Sequence, residues 1–224
     1  MDFQCHLVVG ETSALLIDTM GGHGNLREAV SHITDLPVTV VATHSHYDHA
    51  LGSVYARKHW PDVKVVAGTG DNAAAAVGTG TVGEGACNIS LGTSGTIFIS
   101  SDRFGVDPNN ALHAFAHADG AWHLMGCMLS AASCNKWLCE EILKTSDFAA
   151  EQTDITDDKL GRNPVYFLPY LMGERSPIND TNARGTFTGM TMDTSRSDLV
   201  QAVLEGVAFA IRDSFEVARS LGVA

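Results

Sequence analysis

The chain has 224 residues, 45% of them hydrophobic and 18% charged, with a formal net charge of −12 at pH 7. That length holds one large domain or two small ones. The acidic balance argues against a nucleic-acid phosphate track or an anionic membrane surface as partner. No apolar run reaches the length of a membrane span, and the N-terminus lacks the basic, apolar and small-residue succession of a signal peptide, so a cytoplasmic protein is expected.

In chain order, residues 3–19 predict a hairpin: FQCHLVV, the turn GETS, then ALLIDT. NLREAVSHI has helical spacing, and PVTVVAT is a short β-rich run of the kind that forms a buried strand. VKVVAG, residues 63–68, is taken to open a second unit, followed by a short alanine-rich helix, DNAAAAVG, ending at Gly78. ACNISLGTSGTIFISS predicts two strands about a tight glycine-rich turn. AWHLMGCML predicts a further strand, and SAASCNKWLCEEIL a helix with an apolar stripe. Residues 161–190 are rich in turn residues and are expected to be loop. SDLVQAVLEGVAFAIRDSFEVARSLG carries apolar residues at spacings of three and four. Ser195 and Asp198 suit its capped start and Gly222 its stop. The five cysteines contain no CxxC pair; Cys127, Cys134 and Cys139 lie in a largely apolar stretch and are read as buried free thiols.

Two constellations carry chemistry. The first is THSHYDH, residues 43–49, directly after a predicted strand, with His44, His46, Asp48 and His49 in H-x-H-x-D-H spacing. Imidazole nitrogens with one carboxylate suit zinc or another divalent transition metal, His44 and His46 reaching one ion, Asp48 and His49 a second. The stretch resembles the metallo-β-lactamase superfamily, as does ALLIDT with its Asp18, although Met20 stands where that family usually has glycine. The resemblance covers about residues 3–60. The later histidine, bridging aspartate and final histidine of a complete family site have no counterpart, and two protein ligands per ion is fewer than catalytic zinc takes. A vestigial cluster is the bland alternative.

The second is VVAGTGDNAAAAVGTG, SLGTSGTIF, HAFAHADGAWHLMGCMLSAASCNKWL and YFLPYLMGERSPINDTNARGTFTGMT, in that order. These resemble the FGGY-type carbohydrate kinases, with wording nearest the xylulose kinases, over about residues 64–224. The resemblance implies an actin-like (ribonuclease H-like) ATPase fold, Mg-ATP as phosphoryl donor and a ketose or polyol as acceptor. It implies Asp71 as the base that takes the attacking hydroxyl's proton, where a plain helix cap would be the structural role of such an aspartate. It also implies that Gly92, Thr93, Ser94 and Gly95 cradle ATP phosphates with backbone N–H groups, where a simple hairpin turn is the alternative. Glu174, Arg175, Asp180 and Arg184 are taken as loop-bracing charges. The same wording accounts for His113, His117 and His123 without a metal.

A competing motif, G-x-G-x-x-A at Gly68, Gly70 and Ala73, fits a dinucleotide-binding turn, but NISLG stands where an acidic residue is wanted about 20 positions on. The expectation is therefore an α/β chain of two pieces. Residues 1–62 form an incomplete metallo-β-lactamase-like hairpin, helix and strand; residues 63–224 form an incomplete kinase C-terminal region. Little activity alone is expected, since the preceding kinase domain and the turn against the adenine are not in the sequence. A unit of about 60 residues buries little surface, so exposed apolar surface and self-association are expected of the first piece. A zinc-dependent hydrolase fragment and a non-catalytic fusion product are the alternatives.

Overall fold

The computed structural model describes residues 4–22, 24–43, 47–68 and 70–223, and the chain divides into two compact units, Met1–Ala74 and Ala75–Ala224. In the first unit, β1 (His6–Val9) and β2 (Ala14–Ile17) pair antiparallel, with Val9 opposite Ala14. Helix α1 (Leu26–Ser31) is capped by Asn25, whose side chain accepts from the Glu28 N–H, a role asparagine fills well. It leads to β3 (Val38–Ala42), parallel to β2. Helices α2 (Tyr47–Ala50) and α3 (Gly52–His59) then lead to β4 (Lys64–Ala67), parallel to β3. Such crossovers are needed because a parallel neighbour must start again from the same end of the sheet.

Alternation along the strands sends Ala14, Leu16, Val38 and Val40 to one face, where Leu26, Val30 and Ala56 complete the core. Val8 and its partner Leu15 point to the other face and are exposed, as is Val66 two strands away. Sheets with parallel strands normally have both faces packed, so an apolar face lies open here, as the small size of this unit led one to expect.

The division between the units falls inside α4 (Asp71–Gly78). Among the described residues the second unit carries a four-stranded antiparallel sheet. Its strands are β5 (Cys87–Leu91), β6 (Gly95–Ser101), β7 (His113–Ala116) and β8 (Trp122–Met128), in the order β5-β6-β8-β7. Strand β6 is buried along its whole length. After β8 come α5 (Ala132–Trp137), α6 (Phe148–Gln152), and a two-stranded ribbon of β9 (Tyr166–Leu168) with β10 (Thr186–Thr188). The last element is α7 (Arg196–Ser220), opened by a full Ser195/Asp198 capping box, with Gly222 at φ +80° beyond it.

At about 1.5 Å per residue α7 is long enough to serve two cores. Val200, Ala202 and Val203 pack with Cys134, Leu138, Val165 and Phe167, and Ala218 packs with Ile97, Ile99, Leu112 and Leu124 of the sheet side. The crossing over β9 requires Gly206, where a Cβ would stand 2.2 Å from the Phe167 carbonyl oxygen.

Three expectations meet a different outcome. VKVVAG does not pair with the second sheet; β4 is the fourth strand of the first, hydrogen-bonded to β3. The helix expected over 130–143 is α-helical only to Trp137 and continues as a π-helical turn, Leu138–Ile142. The stretch expected as loop holds β9 and β10, each three residues long and too short for alternation to reveal.

Candidate functional site

The GTSG stretch connects β5 to β6, with Leu91 opposite Gly95 across the ladder. Its carbonyls are tied. The Gly92 oxygen accepts from the Ala132 N–H at 2.9 Å; the Thr93 oxygen accepts from the Ala131 N–H at 3.0 Å and the Ser133 hydroxyl at 2.7 Å; the Ser94 oxygen accepts from the Gly92 N–H at 2.9 Å. Among the described residues neither the Thr93 nor the Ser94 N–H donates a hydrogen bond, and Gly92, Thr93 and Ser94 are exposed. A turn with its oxygens held back and adjacent N–H groups facing water presents partial positive charge, the chemistry an anionic phosphate needs. The two glycines differ. A Cβ on Gly92 has room, its nearest neighbour being the Ser94 oxygen at 3.7 Å, whereas one on Gly95 would meet Met128 Cγ at 2.7 Å and Ala131 Cβ at 3.1 Å. Gly95 is thus required by packing beneath the turn.

Asp71 is the first residue of α4 and is exposed; its Oδ1 accepts from the Asn72 N–H at 2.9 Å. An accessible carboxylate at a helix start is available to a substrate hydroxyl. Asp71 belongs to the first compact unit and the Gly92–Gly95 turn to the second. The competing G-x-G-x-x-A motif does lie between a strand and a helix, but Gly68 has a packing reason to be glycine: its Cβ would lie 1.8 Å from the Ala42 carbonyl oxygen.

Of the four metal-ligand candidates, His44 and His46 lie outside the described residues, as does the side chain of Asp48, whose backbone is in α2. His49 is also on α2, and its Nδ1 is 2.8 Å from Oδ2 of Asp18. Asp18 follows β2 in the left-handed region (φ 62°) and is 6% exposed. It accepts from the Thr43 N–H at 2.7 Å and the Thr43 hydroxyl at 2.9 Å. Burial pushes the Asp18 carboxyl up, but the His49 bond, the Thr43 donors and the imidazole's charge outweigh it and hold the group below the usual carboxylate value. Holding one ring nitrogen with a carboxylate is how proteins orient a histidine whose other nitrogen meets a metal, and His49 suits that part. Among the described residues no group of three or more His, Cys, Asp or Glu side chains is placed to hold an ion. Met20, where the family resemblance led one to expect glycine, has φ 56°, a conformation glycine adopts at less cost.

Further buried polar groups lie in the second unit. His123 is stacked on Phe98 with ring centroids 4.0 Å apart, and His117 meets the same ring edge-on at 5.1 Å. His117 Nε2 is 3.1 Å from the Thr81 carbonyl oxygen. Burial, then the charge of His117, pull the His123 imidazole down to about 4, so the His123 ring acts as a core aromatic. Glu174 is 1% exposed; its Oε1 accepts from the N–H groups of Leu129 and Arg175, each at 2.8 Å, and Oε2 has no partner among the described residues. Burial pushes its carboxyl above the usual value despite those donors and the Arg175 charge. Burial and Glu174 in turn push the Cys134 thiol up to about 12, leaving it unreactive. The five cysteines are all free.

Residues 87–224 match the FGGY family of carbohydrate kinases, C-terminal domain. The chain belongs to the FGGY family. Residues 4–85 match the metallo-beta-lactamase superfamily. Among FGGY relatives, the chain is 46% identical over 167 residues to the xylulose kinase of Klebsiella pneumoniae, covering 73% of this chain and 34% of that protein. It is 45% identical over 166 residues to the xylulose kinase of Escherichia coli K12, covering 72% and 33%. Of solved structures, it is similar to a xylulose kinase from Brucella ovis (TM-score 0.63, 45% identity, 71% of this chain and 33% of the other). It is also similar to one from Bifidobacterium adolescentis (TM-score 0.64, 31% identity, 88% and 39%). The chain thus spans about a third of the length of the curated relatives it matches. Its architecture is α/β and, with these neighbours, includes part of the actin-like ATPase fold of the sugar kinases. Among the described residues no helix is long and apolar enough to cross a membrane.

Two contributors to these sites escaped the sequence. Ser133, whose hydroxyl holds the Thr93 carbonyl, comes 40 residues after it with no local signal. Asp18 was legible as a strand-end residue but not as the carboxylate that receives His49, 31 positions on.

Proposed function

We propose that this chain holds the phosphate-binding turn and the base of a xylulose-kinase-like enzyme that transfers phosphate from Mg-ATP to a sugar hydroxyl. The observation that carries the reading is the Gly92–Gly95 turn, whose tied carbonyls and outward N–H groups suit a nucleotide phosphate. Asp71 takes the proton from the attacking hydroxyl as its oxygen bonds to phosphorus and the bond to ADP breaks. Phosphoryl transfer depends on holding donor and acceptor in line. With about a third of the relatives' length present, these 224 residues alone are expected to turn over near background. The substrates are thus a small sugar and a nucleotide, and the change of lineage is placed near residue 62, ahead of β4. Self-association through the open sheet face is part of the same proposal.

Isothermal titration of the full chain with Mg-ATP and Mg-ADP tests the reading. Binding is expected, lost in Gly92→Asp, which puts a carboxylate on the rim where there is room for it, with the melting temperature unchanged. Absence of heat with either nucleotide would overturn it. Gly95→Asp is a poorer probe, because it strikes Met128 before it meets any ligand.

A second reading, a zinc-dependent hydrolase fragment, is favoured by the Asp18–His49 contact. His44 and His46 would hold one ion and Asp48 and His49 a second, which when bound would supply a Lewis acid and an acidified water. Elemental analysis should find near-stoichiometric zinc that disappears in His44→Ala/His46→Ala; trace metal would dismiss this reading and leave the first untouched.

A further inference from the structure

We propose that Glu174 is a positioning residue for the Gly92–Gly95 turn, acting through the stretch Leu129–Ser133. The inference rests on the reading that this turn takes nucleotide phosphates, and adds what keeps it in shape.

The turn's oxygens are held by Ala131, Ala132 and Ser133, at the start of α5. That start has no cap of its own: Ala131 offers no side-chain acceptor, and its backbone (φ −117°, ψ −100°) is outside the helical region. Something else must fix residues 129–133 if the turn is to hold its geometry. Strand β8 ends at Met128, so the Leu129 N–H is beyond the ladder, and Glu174 Oε1 takes it at 2.8 Å. The next residues close the clasp. Ser176 Oγ accepts from the Cys127 N–H at 3.0 Å, and the Ser176 N–H donates to the Cys127 carbonyl at 3.2 Å. Glu174 to Ser176 therefore grip the end of β8 from Cys127 to Leu129, and the next backbone groups down the chain hold the turn.

The side chain chosen is costly for a purely structural brace. A carboxyl 1% exposed with one oxygen unpartnered loses more hydration than two N–H bonds return. The unpartnered Ser130 hydroxyl, also 1% exposed, adds to that cost at the neighbouring position. Rigid placement of N–H donors around a developing charge is what phosphoryl transfer requires of its scaffold, and this loop supplies it from about 80 residues away in sequence.

The test compares the full-length parent with Glu174→Ala, Glu174→Gln and Ser176→Ala. A control, Asn163→Ala, loses a buried contact to the start of α7. Two quantities are read: amide hydrogen exchange at Ala131 and Ala132, and Mg-ADP affinity by calorimetry. Glu174→Ala is expected to speed exchange at both amides, and to weaken Mg-ADP, each by about tenfold or more. Glu174→Gln, which keeps the acceptor oxygen, is expected to restore both. Asn163→Ala should lower the melting temperature while moving neither. If Glu174→Ala fails to fold, Ser176→Ala carries the test, with smaller changes of the same sign. Parent-like exchange at both amides in a folded Glu174→Ala, or in Ser176→Ala if it does not fold, overturns the proposal. A parent that binds no Mg-ADP defeats the phosphate reading instead, and the exchange result still decides the brace.

Discussion

Among the described residues the first unit buries the carboxylate of Asp18 and the second those of Asp107 and Glu174; Asp18 and Glu174 behave oppositely. Asp18 in the first unit receives the Thr43 N–H, the Thr43 hydroxyl and His49, and its carboxyl is held below the usual value. Glu174 in the second receives two N–H groups on one oxygen, has none on the other, and is pushed above the usual value. Both are buried, so burial alone does not set the direction; the number and charge of the donors does. The same contrast runs through the packing. The first sheet has one covered face and one open apolar face, while the central strand of the second is buried from end to end.

The largest effect that sharpens this contrast is expected at Gly206. Alanine there must displace the Phe167 carbonyl or shift α7. It should cost the second unit about 3 kcal/mol, seen as a lower denaturant midpoint for its tryptophan signal, with the first unit's cleavage rate by protease unchanged. A similar loss is expected on acidification. His123 titrates near 4 when folded and 6.5 as its ordinary value. A base whose folded value is depressed contributes stability that is present above 6.5 and is lost as pH falls towards 4. The loss should amount to roughly 3 kcal/mol, and His123→Phe, keeping the stack on Phe98, should remove most of it. Acid unfolding of the second unit identical in parent and variant would break the assignment.

Asp18→Ala should destabilise the first unit by about 2 kcal/mol, by removing the buried acceptor that the Thr43 N–H, the Thr43 hydroxyl and His49 share. The figure is moderated because His49 is a third exposed. Limited proteolysis would show faster cleavage in residues 4–60. The smallest effect is expected for Glu174→Gln. A carboxyl with a raised folded value favours the fold most below its ordinary 4.5 and loses that contribution as pH rises through the folded value. Glutamine removes the titration, so at pH 7 stability should match or exceed the parent's by about 0.5 kcal/mol. A destabilised Gln variant would mean that the carboxylate is better satisfied than its hydrogen bonds indicate.

Patterns local to a few residues were legible in the chain alone. The α7 helix and its Ser195/Asp198 cap, the β5–β6 hairpin about GTSG, the β1–β2 hairpin and the helix start at Asp71 all follow from periodicity and turn chemistry, which act over a few residues. So did the kinase family, because its motifs stand in order along the sequence. Tertiary structure decided the rest, since it joins residues that sequence separates. It placed β4 beside β3 and packed His117 and His123 around Phe98 as core rings. It tied the Thr93 carbonyl to Ser133, and the Leu129 N–H to Glu174 45 positions later. Donors and acceptors find each other through space, and the cost of burying either one unpaired selects the partner.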